Sequence, residues 1–337
     1  MEKVRANKLI SLVISVYNEE KNINPLYNQL SKVLNGIGVD YEIIFVNDGS
    51  KDYSLMKMID LLELDQNIKI VNFSRNFGHE IAMTAGMDYA KGDAIIFMDS
   101  DLQHPPELVK TMVDKWLSGI DLVITKRVNN EDDSLIKKII SRCYYKILNV
   151  LSEVEIASGF SDFRLIDRKY IDRIKQIAER DRLFRGILNW VGINNYCTLE
   201  FVAPKRIHGV SKYNLIKYAN LGINAILQFS IKPLRVITLF GFCAAITSML
   251  YASYVVIDHL VFKRPETGFS TIVTLMVILF SIQTTIIGVI GEYVGRIHLE
   301  IKKRPLYFAE LIDSNKSNTS PQAMRNETLG NSNQKPQ

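Results

Sequence analysis

The segment 94-AIIFMDSDLQHPPE-107 indicates how this chain folds. A run of five apolar residues, Ala94 to Met98, is followed at once by Asp99 and Asp101, and two prolines come shortly afterwards. A short apolar run with an abrupt polar end is typical of a buried strand that reaches the edge of a sheet. The two carboxylates repel each other unless a positive group lies between them, so this edge is a candidate for binding chemistry.

The same pattern extends outward along residues 9–125. Apolar runs predict strands at Leu9–Val16, Glu42–Val46, Lys69–Phe73, Ala94–Met98 and Leu122–Thr125. Apolar residues at helical spacing predict helices at Glu20–Leu34, Ser54–Leu64, Gly78–Ala90 and Pro106–Ser118. Strands that alternate with helices predict an α/β fold with a mainly parallel, Rossmann-like sheet covered by helices on both faces. In such sheets ligands bind at the carboxyl ends of the strands.

Polar clusters follow four of the predicted strands, where they should gather at one edge of the sheet. They are Tyr17-Asn18-Glu19, 47-NDGSKD-52, 74-SRNFGHE-80 and Asp99-Ser100-Asp101. No G-x-G-x-x-G follows the first strand, so the usual dinucleotide-binding turn is absent from the sequence. Paired carboxylates suit Mg²⁺ or Mn²⁺, which bind one or two protein carboxylates and complete their shell with substrate phosphates. A solvated turn is the alternative for the Asp-x-Asp pair alone.

Two uncharged segments follow the α/β region, at Val236–Ile257 and Gly268–Gly291. Each is long enough to cross a hydrocarbon core of about 30 Å as a helix. We therefore predict transmembrane helices at 233–258 and 268–292, with a buried hairpin of core helices as the alternative. The segment 211–232 mixes lysine with apolar residues at helical spacing and predicts an amphipathic juxtamembrane helix on the bilayer surface.

The charges that flank the two spans predict how the chain is oriented. Basic residues precede the first span and follow the second, whereas the connecting loop is balanced. The positive-inside rule therefore places both termini, the 1–210 domain and the 293–312 juxtamembrane segment in the cytoplasm. A polar composition predicts a disordered tail at 313–337.

The remaining composition excludes other classes of protein. The 3 cysteines are scattered, so neither a disulfide framework nor a zinc site is predicted. The net charge of +5 is small, and the basic residues concentrate beside the spans. Anionic lipid headgroups explain that concentration better than nucleic acid does.

Several motifs in order resemble the inverting glycosyltransferases of family 2, which have the GT-A fold. They are ISVYNE at 14–19, NDGSKD at 47–52, SRNFGHE at 74–80, MDSDLQHPPE at 98–107, DFRL at 162–165, GVSKY at 209–213, KPLR at 232–235, IGEYVGR at 290–296 and KKRP at 302–305. The likeness is stronger still to the polyprenyl-phosphate glycosyltransferases, among them dolichyl-phosphate mannose synthase and bacterial undecaprenyl-phosphate glucosyltransferases. It covers about residues 8–307. Ser15, Asn47 and Ser161 stand where the family usually has Pro, Asp and Gly.

The resemblance implies a role for individual residues. A UDP-sugar would be held by Tyr17, Glu19, Asp48, Asp99 and Gln103, with Mg²⁺ or Mn²⁺ on Asp99 and Asp101. The reaction centre would involve Asp101, Asp162 and Arg164, and the acceptor phosphate would be bound by Arg206, Ser211 and Lys212. Structural alternatives stay open: a cap or turn for Asp48, a local ion pair for Asp162 and Arg164, lipid contacts for Lys212, and loop ordering for Arg75 and His79.

The implied activity is inverting transfer of a hexose from a UDP-sugar, UDP-glucose first, to polyprenyl phosphate at the cytoplasmic membrane face. UDP-N-acetylglucosamine is an alternative donor. A processive polysaccharide synthase is disfavoured because the Q-x-x-R-W motif and further spans are missing. A catalytically idle membrane scaffold that binds nucleotide or partner subunits is the alternative from another class. Small residues in the spans, such as Gly241, Gly288 and Gly291, would permit homo-oligomers.

Overall fold

A computed structural model of the chain describes residues 8–128, 160–177, 179–180, 184–204, 232–262 and 268–313. These residues fall into two compact units. One contains the α/β region together with the residues from Pro305 onward, and the other contains the two long apolar helices. The predicted helix at 211–232, the acceptor-site segment from 205 to 212 and the tail beyond Asp313 lie outside the described residues.

The α/β unit is built on one eight-stranded sheet with the order β7-β5-β6-β4-β1-β2-β3-β8. The strands are β1 (Leu9–Val16), β2 (Asp40–Asn47), β3 (Ile68–Phe73), β4 (Ala94–Asp99), β5 (Leu122–Arg127), β6 (Phe160–Asp167), β7 (Tyr196–Phe201) and β8 (Ala309–Asp313). The central strands β4, β1, β2 and β3 are parallel, whereas β6 runs antiparallel to β4 and β5, and β8 runs antiparallel to β3. The expected mainly parallel sheet is confirmed.

Helices cover both faces of this sheet. They are α1 (Ile23–Leu34), α2 (Ser54–Leu62), α3 (His79–Tyr89), α4 (Glu107–Leu117), α5 (Arg168–Lys175) and α6 (Phe184–Val191). Alternate strand residues point to opposite faces, so each strand contributes to two hydrophobic cores. One core receives α1, α2 and α4, and the other receives α3, α5 and α6. In α1 the buried residues Ile23, Leu26, Leu30 and Leu34 form one apolar stripe, as the helical spacing predicts.

Most predicted elements lie within three residues of the observed ones. The first helix begins at Ile23 rather than at Glu20, because Glu20 is used in a loop where its carboxylate accepts from the Tyr53 backbone N–H. Strands β6, β7 and β8 were not predicted from the sequence. Strand β8 follows the second apolar helix and returns to the sheet edge beside β3, so part of the predicted 293–312 juxtamembrane segment belongs to the α/β unit.

The second unit contains two helices, α7 (Lys232–Phe262) and α8 (Phe269–Ile301). Both are long and apolar enough to cross a membrane: the windows at Leu234–Tyr251 and Leu275–Ile301 have mean hydropathies of 1.7 and 1.8. Neither window is buried against protein, which distinguishes these helices from the core helices of a soluble domain. Helix α8 extends beyond the predicted end of the span at 292, and Glu292 pairs with Arg296 one turn later.

Candidate active site

The predicted site loops meet at one edge of the sheet. Strands β1, β2, β3 and β4 all end there, and β6 begins there because it runs antiparallel to β4. The register places Ser15 beside Asp99 and Asn47 beside Asn72. We call this carboxyl edge, formed by residues 15–19, 47–52, 74–80, 99–104 and 160–164, the rim.

The loops after β1 and β2 are bound to each other by hydrogen bonds between backbone and side chains. The backbone N–H of Asn18 donates to Ser50 Oγ at 3.0 Å, and the backbone N–H of Lys51 donates to Asn18 Oδ1 at 2.7 Å. Asp52 accepts from the backbone N–H of Glu20 at 3.1 Å. These contacts fix the segment that contains Tyr17 and Glu19, so the position of both residues depends on the NDGSKD motif.

The hydrogen bonds of Asn47 account for one departure from the family pattern, an amide where an aspartate is usual. Its side-chain amide donates to Asn72 Oδ1 at 2.8 Å, and its oxygen accepts from the Ser50 backbone N–H at 3.1 Å. An aspartate could not donate to Asn72, because an ionised carboxylate only accepts hydrogen bonds. The amide therefore joins the ends of β2 and β3.

Asp48 is 3% exposed and binds the loop that follows β3. Its carboxylate accepts from the Phe77 backbone N–H at 2.6 Å, from the Gly78 backbone N–H at 3.0 Å and from Asn76 Nδ2 at 2.9 Å. Burial raises the pKa of the Asp48 carboxyl, and the two amide hydrogen bonds oppose that shift. The geometry gives Asp48 a structural task, the ordering of residues 76–78, beside the nucleotide role that the resemblance implies.

His104 fixes the carboxylate end of β4. Its Nδ1 accepts from the Asp99 backbone N–H at 3.1 Å, so the ring carries its proton on Nε2. Nε2 donates to Ser161 Oγ at 2.8 Å and lies 3.8 Å from Asp99 Oδ2. The ring is 6% exposed and stacks on Phe163 with centroids 5.0 Å apart. Ser161, a departure from the family pattern, thus becomes a partner of this imidazole.

A second imidazole, His79, approaches Asp99 from the other side. Its Nε2 lies 3.6 Å from Asp99 Oδ1 and 3.9 Å from Asp162 Oδ2, and its Nδ1 lies 2.8 Å from Ser15 Oγ. Burial would lower the pKa of His79, but the carboxylates of Asp99, Asp162 and Glu80 outweigh it and raise the pKa above its ordinary value. The Nε2 atom of His79 therefore lies within 4 Å of carboxylates from both β4 and β6.

Asp162 and Arg164 form an ion pair at the beginning of β6. Arg164 is 3% exposed, and its guanidinium also donates to the Asp162 carbonyl at 3.3 Å. Glu80 lies near this pair and accepts from the Phe184 backbone N–H at 3.1 Å. Burial and the neighbouring Asp162 raise the pKa of Glu80, which His79 and Arg164 oppose. The rim thus contains a compact group of opposite charges.

Asp101 lies in a turn with an unusual backbone. Asp101 Oδ1 accepts from the Gln103 backbone N–H at 3.0 Å, and Leu102 between them has a φ of 61°. A left-handed conformation is uncommon for a bulky residue and is found mostly at functional sites. Asn18, in the loop after β1, has a φ of 54°. Both positions lie on the rim, whereas Lys303, the third non-glycine residue with a positive φ among the described residues, follows α8.

The oxygens of Asp99 and Asp101 are the donor type that Mg²⁺ and Mn²⁺ prefer. Asp99 keeps 35% of its side chain exposed between the two imidazoles. Within the described residues no three His, Cys, Asp or Glu side chains are grouped to hold a metal ion by themselves. The two carboxylates fit a cation that takes its other ligands from a bound diphosphate.

Comparison with known proteins shows the family of the chain. The family described as glycosyl transferase family 2 matches residues 11–175, and the GtrB C-terminal hairpin matches residues 232–297. An uncharacterized glycosyltransferase of Synechocystis is 41% identical over 298 residues, which cover 88% of this chain and 93% of that protein. The chain belongs to glycosyl transferase family 2. Its α/β unit is a GT-A glycosyltransferase domain, and the chain is an enzyme of this class.

Two further family 2 relatives have more informative names. A prophage-derived bactoprenol glucosyl transferase of Shigella flexneri is 39% identical and covers 88% of this chain and 96% of its own length. A prophage bactoprenol glucosyl transferase homolog of Escherichia coli is 37% identical and covers 90% and 99%. Among solved structures, glucosyl-3-phosphoglycerate synthase of Mycobacterium tuberculosis with Mn²⁺, UDP-glucose and phosphoglyceric acid is 20% identical with a TM-score of 0.47, covering 67% of this chain and 80% of its own. A likeness at that level carries no further conclusion.

The structure places the predicted residues that it describes on the rim. Tyr17, Glu19, Asp48, Asp99, Asp101, Gln103, Asp162 and Arg164 all lie in the five rim segments. Arg206, Ser211 and Lys212 lie outside the described residues. From the sequence, His79 had no predicted role beyond loop ordering, and His104 and Glu80 had none. Histidines inside the motifs after β3 and β4 were the available signal.

Proposed function

We propose that the enzyme transfers a glucosyl group from UDP-glucose to polyprenyl phosphate, with inversion, at the cytoplasmic face of the membrane. One observation carries the proposal: on the rim, Asp99 of the Asp-x-Asp motif and Asp162 each have a carboxylate oxygen within 4 Å of the same imidazole nitrogen, His79 Nε2. The relatives named bactoprenol glucosyl transferase support a polyprenyl acceptor and a glucosyl donor. The two long apolar helices support a place in the membrane.

The proposed reaction is a single displacement. An oxygen of the acceptor phosphate attacks the anomeric carbon, a new carbon–oxygen bond forms, and the bond between that carbon and the UDP oxygen breaks. The acceptor phosphate is ionised near neutral pH, because its second pKa is about 6. No strong general base is needed to create the nucleophile. The ion pair with Arg164 therefore suits Asp162 to orientation of the acceptor more than to removal of a proton.

Asp99 and Asp101 would hold the divalent cation, Mg²⁺ or Mn²⁺, which when bound neutralises charge on the leaving diphosphate. Other residues of the chain fix the positions of the two carboxylates that would hold the cation. The turn at Leu102 holds Asp101 beside Gln103, and the backbone of Asp99 is fixed by His104. Tyr17, Glu19 and Asp48 would bind the nucleoside. Positioning of this kind, in place before the reaction, is where such enzymes obtain most of their rate.

The two long apolar helices suit an enzyme whose acceptor is a membrane lipid. A polyprenyl chain stays in the bilayer, so only its phosphate can approach a soluble domain. The chain joins a family 2 domain to two long apolar helices that are flanked by basic residues, which suits an enzyme whose acceptor is anchored in a bilayer with anionic headgroups. Arg206, Ser211 and Lys212 are the residues that we propose for binding the acceptor phosphate there.

A transfer assay tests the proposal directly. The purified full chain in detergent is given undecaprenyl phosphate, Mg²⁺ or Mn²⁺, and labelled UDP-glucose, UDP-N-acetylglucosamine or UDP-galactose in parallel. Label that moves into the organic phase measures transfer. We expect UDP-glucose to be used, and we expect Asp101→Asn to lower the rate by about 100-fold or more, as loss of a group that stabilises developing charge does.

Asp40→Asn is the matched control, because it makes the same chemical change in an exposed carboxylate at the opposite, amino end of β2. It should leave transfer unchanged. Transfer from another UDP-sugar would correct the donor and keep the reaction. No transfer from any donor, with UDP still bound by the folded chain, would contradict the proposal and support the scaffold interpretation.

A further inference from the structure

His79 lies between two carboxylates that belong to opposite sides of the proposed reaction. Asp99 is on the donor side and Asp162 on the acceptor side, and they come from strands β4 and β6. A single nitrogen, His79 Nε2, lies 3.6 Å from an oxygen of the first and 3.9 Å from an oxygen of the second. Two carboxylates that each lie within 4 Å of one nitrogen repel each other, and an imidazole N–H beside them offsets that repulsion.

The imidazole is fixed from behind by Ser15. Ser15 Oγ lies 2.8 Å from His79 Nδ1, although the two residues are 64 positions apart in the chain. Ser15 belongs to β1, which is central in the sheet, and His79 is the first residue of α3. The backbone directly before His79 is held by Asp48 through Phe77 and Gly78. The ring is therefore anchored at its far nitrogen and at its main chain.

The neighbours of His79 also decide which nitrogen carries a proton. Carboxylate oxygens only accept hydrogen bonds, so the Nε2 that faces two of them is the nitrogen that carries hydrogen. In the neutral ring Nδ1 then accepts from the Ser15 hydroxyl, and in the charged ring it donates to the same oxygen. In both forms the contact with Ser15 keeps Nε2 on the side of Asp99 and Asp162.

We propose that His79, oriented by Ser15, is a positioning residue that sets the separation of the donor-side carboxylate Asp99 and the acceptor-side carboxylate Asp162. This inference rests on the proposed function and deepens it. Without the imidazole beside them the carboxylates would repel each other more strongly, and the residues that would hold the diphosphate and the acceptor phosphate would change their separation. Displacements of about 1 Å in such sites cost as much as 100-fold in rate. The effect is on turnover, because neither substrate loses a direct contact.

The kinetic test removes only the anchoring hydroxyl. Ser15→Ala should lower kcat about 10-fold and leave the KM for UDP-glucose within about twofold, as loss of a second-layer partner does. Ser15→Thr restores the hydroxyl and should restore kcat. Ser118→Ala is the matched control: its hydroxyl donates to Lys115 O just beyond α4, away from the rim, and its loss should not change kcat. Tm is measured for each variant. A Ser15→Ala enzyme with normal kcat would overturn the proposal.

A second measurement is independent of transfer. The chain has 5 histidines, so ¹⁵N-histidine labelling gives a spectrum that His79→Gln can assign. We expect a hydrogen on Nε2 in the wild type, and we expect the Nδ1 resonance to shift in Ser15→Ala because that nitrogen loses its hydroxyl partner. Ring nitrogen shifts that are identical in the two proteins would overturn the proposal. A wild type that transfers no sugar but shows the expected shifts would contradict the proposed function and leave the orientation of His79 by Ser15 supported.

Discussion

Replacing Gly49 by alanine should disrupt the rim without touching a charged group. Gly49 follows Asp48 and has a φ of +65°. A Cβ at this position would lie 2.4 Å from the Arg75 carbonyl carbon and 2.5 Å from the Asn76 nitrogen. Both are backbone atoms, so no side-chain rotation can relieve the overlap. Ordinary carbon contacts are about 3.5 Å, so the loop after β3 would have to move by roughly 1 Å.

Two costs add at Gly49. The left-handed backbone costs an L-residue about 1–2 kcal/mol, and overpacking typically costs about 1–3 kcal/mol. The free energy of unfolding should therefore fall by about 2–5 kcal/mol. For a domain of this size each kcal/mol lowers Tm by about 2–4 °C, so Tm should fall by at least about 4 °C. The displaced loop leads directly into His79, and a 1 Å displacement predicts a loss of up to about 100-fold in kcat.

The assay compares three glycine-to-alanine variants in the same detergent by thermal unfolding and sugar transfer. Gly119 has a φ of +102° and no atom within 4 Å of an added Cβ, so Gly119→Ala measures the backbone cost alone. Gly36→Ala, where the Cβ would meet Val33 O at an ordinary 3.6 Å, should be nearly neutral. If Gly49→Ala has the same Tm as Gly119→Ala and the same kcat as the wild type, the close contact between the two rim loops is not present in solution.

Three further results are expected. Chelation of divalent cations should abolish sugar transfer, and added Mg²⁺ or Mn²⁺ should restore transfer in the wild type but not in Asp101→Asn. Restoration in both proteins would show that Asp101 is not a ligand of the proposed metal. Burial would raise the pKa of Glu42, but hydrogen bonds from Lys69, Ser11 and the Lys91 backbone hold it below its ordinary value. The ionised Glu42 therefore contributes to the free energy of unfolding above about pH 4.5, and this contribution is lost as the pH falls below that value. Urea midpoints should show this loss of stability in acid in the wild type and not in Glu42→Gln. Tyr307→Ala removes a ring whose centroid lies 5.1 Å from that of Phe73, and it should lower the free energy of unfolding by about 1–3 kcal/mol. Tyr307→Phe keeps the stacked ring and should lower it by about 1 kcal/mol or less. Equal losses in the two variants would show that the ring is not packed there.

Local pattern in the sequence was enough for the central sheet. Strand β1 lies at the predicted bounds, and β2, β3 and β4 differ by a few residues at their ends, because period and apolar content are properties of contiguous residues. The two apolar helices were likewise predictable from length and lack of charge. The strands β6, β7 and β8 were missed. Strand β8 is short, amphipathic and preceded by a helix that suggested a membrane context, and its partner β3 lies far away in the sequence.

The sequence by itself determined the α/β class, the edge of the sheet at which the polar motifs gather, the Asp99–Asp101 pair and the two long apolar helices. Only the tertiary structure decided which groups meet those carboxylates. Ser15 and His79 are 64 positions apart, and Ser161 and His104 are 57 apart, so neither contact follows from spacing. Such contacts depend on sheet order and register: β6 enters antiparallel beside β4, and this brings Asp162 to the rim. Periodicity specifies which face of an element is buried, whereas the packing of whole elements specifies which side chains touch.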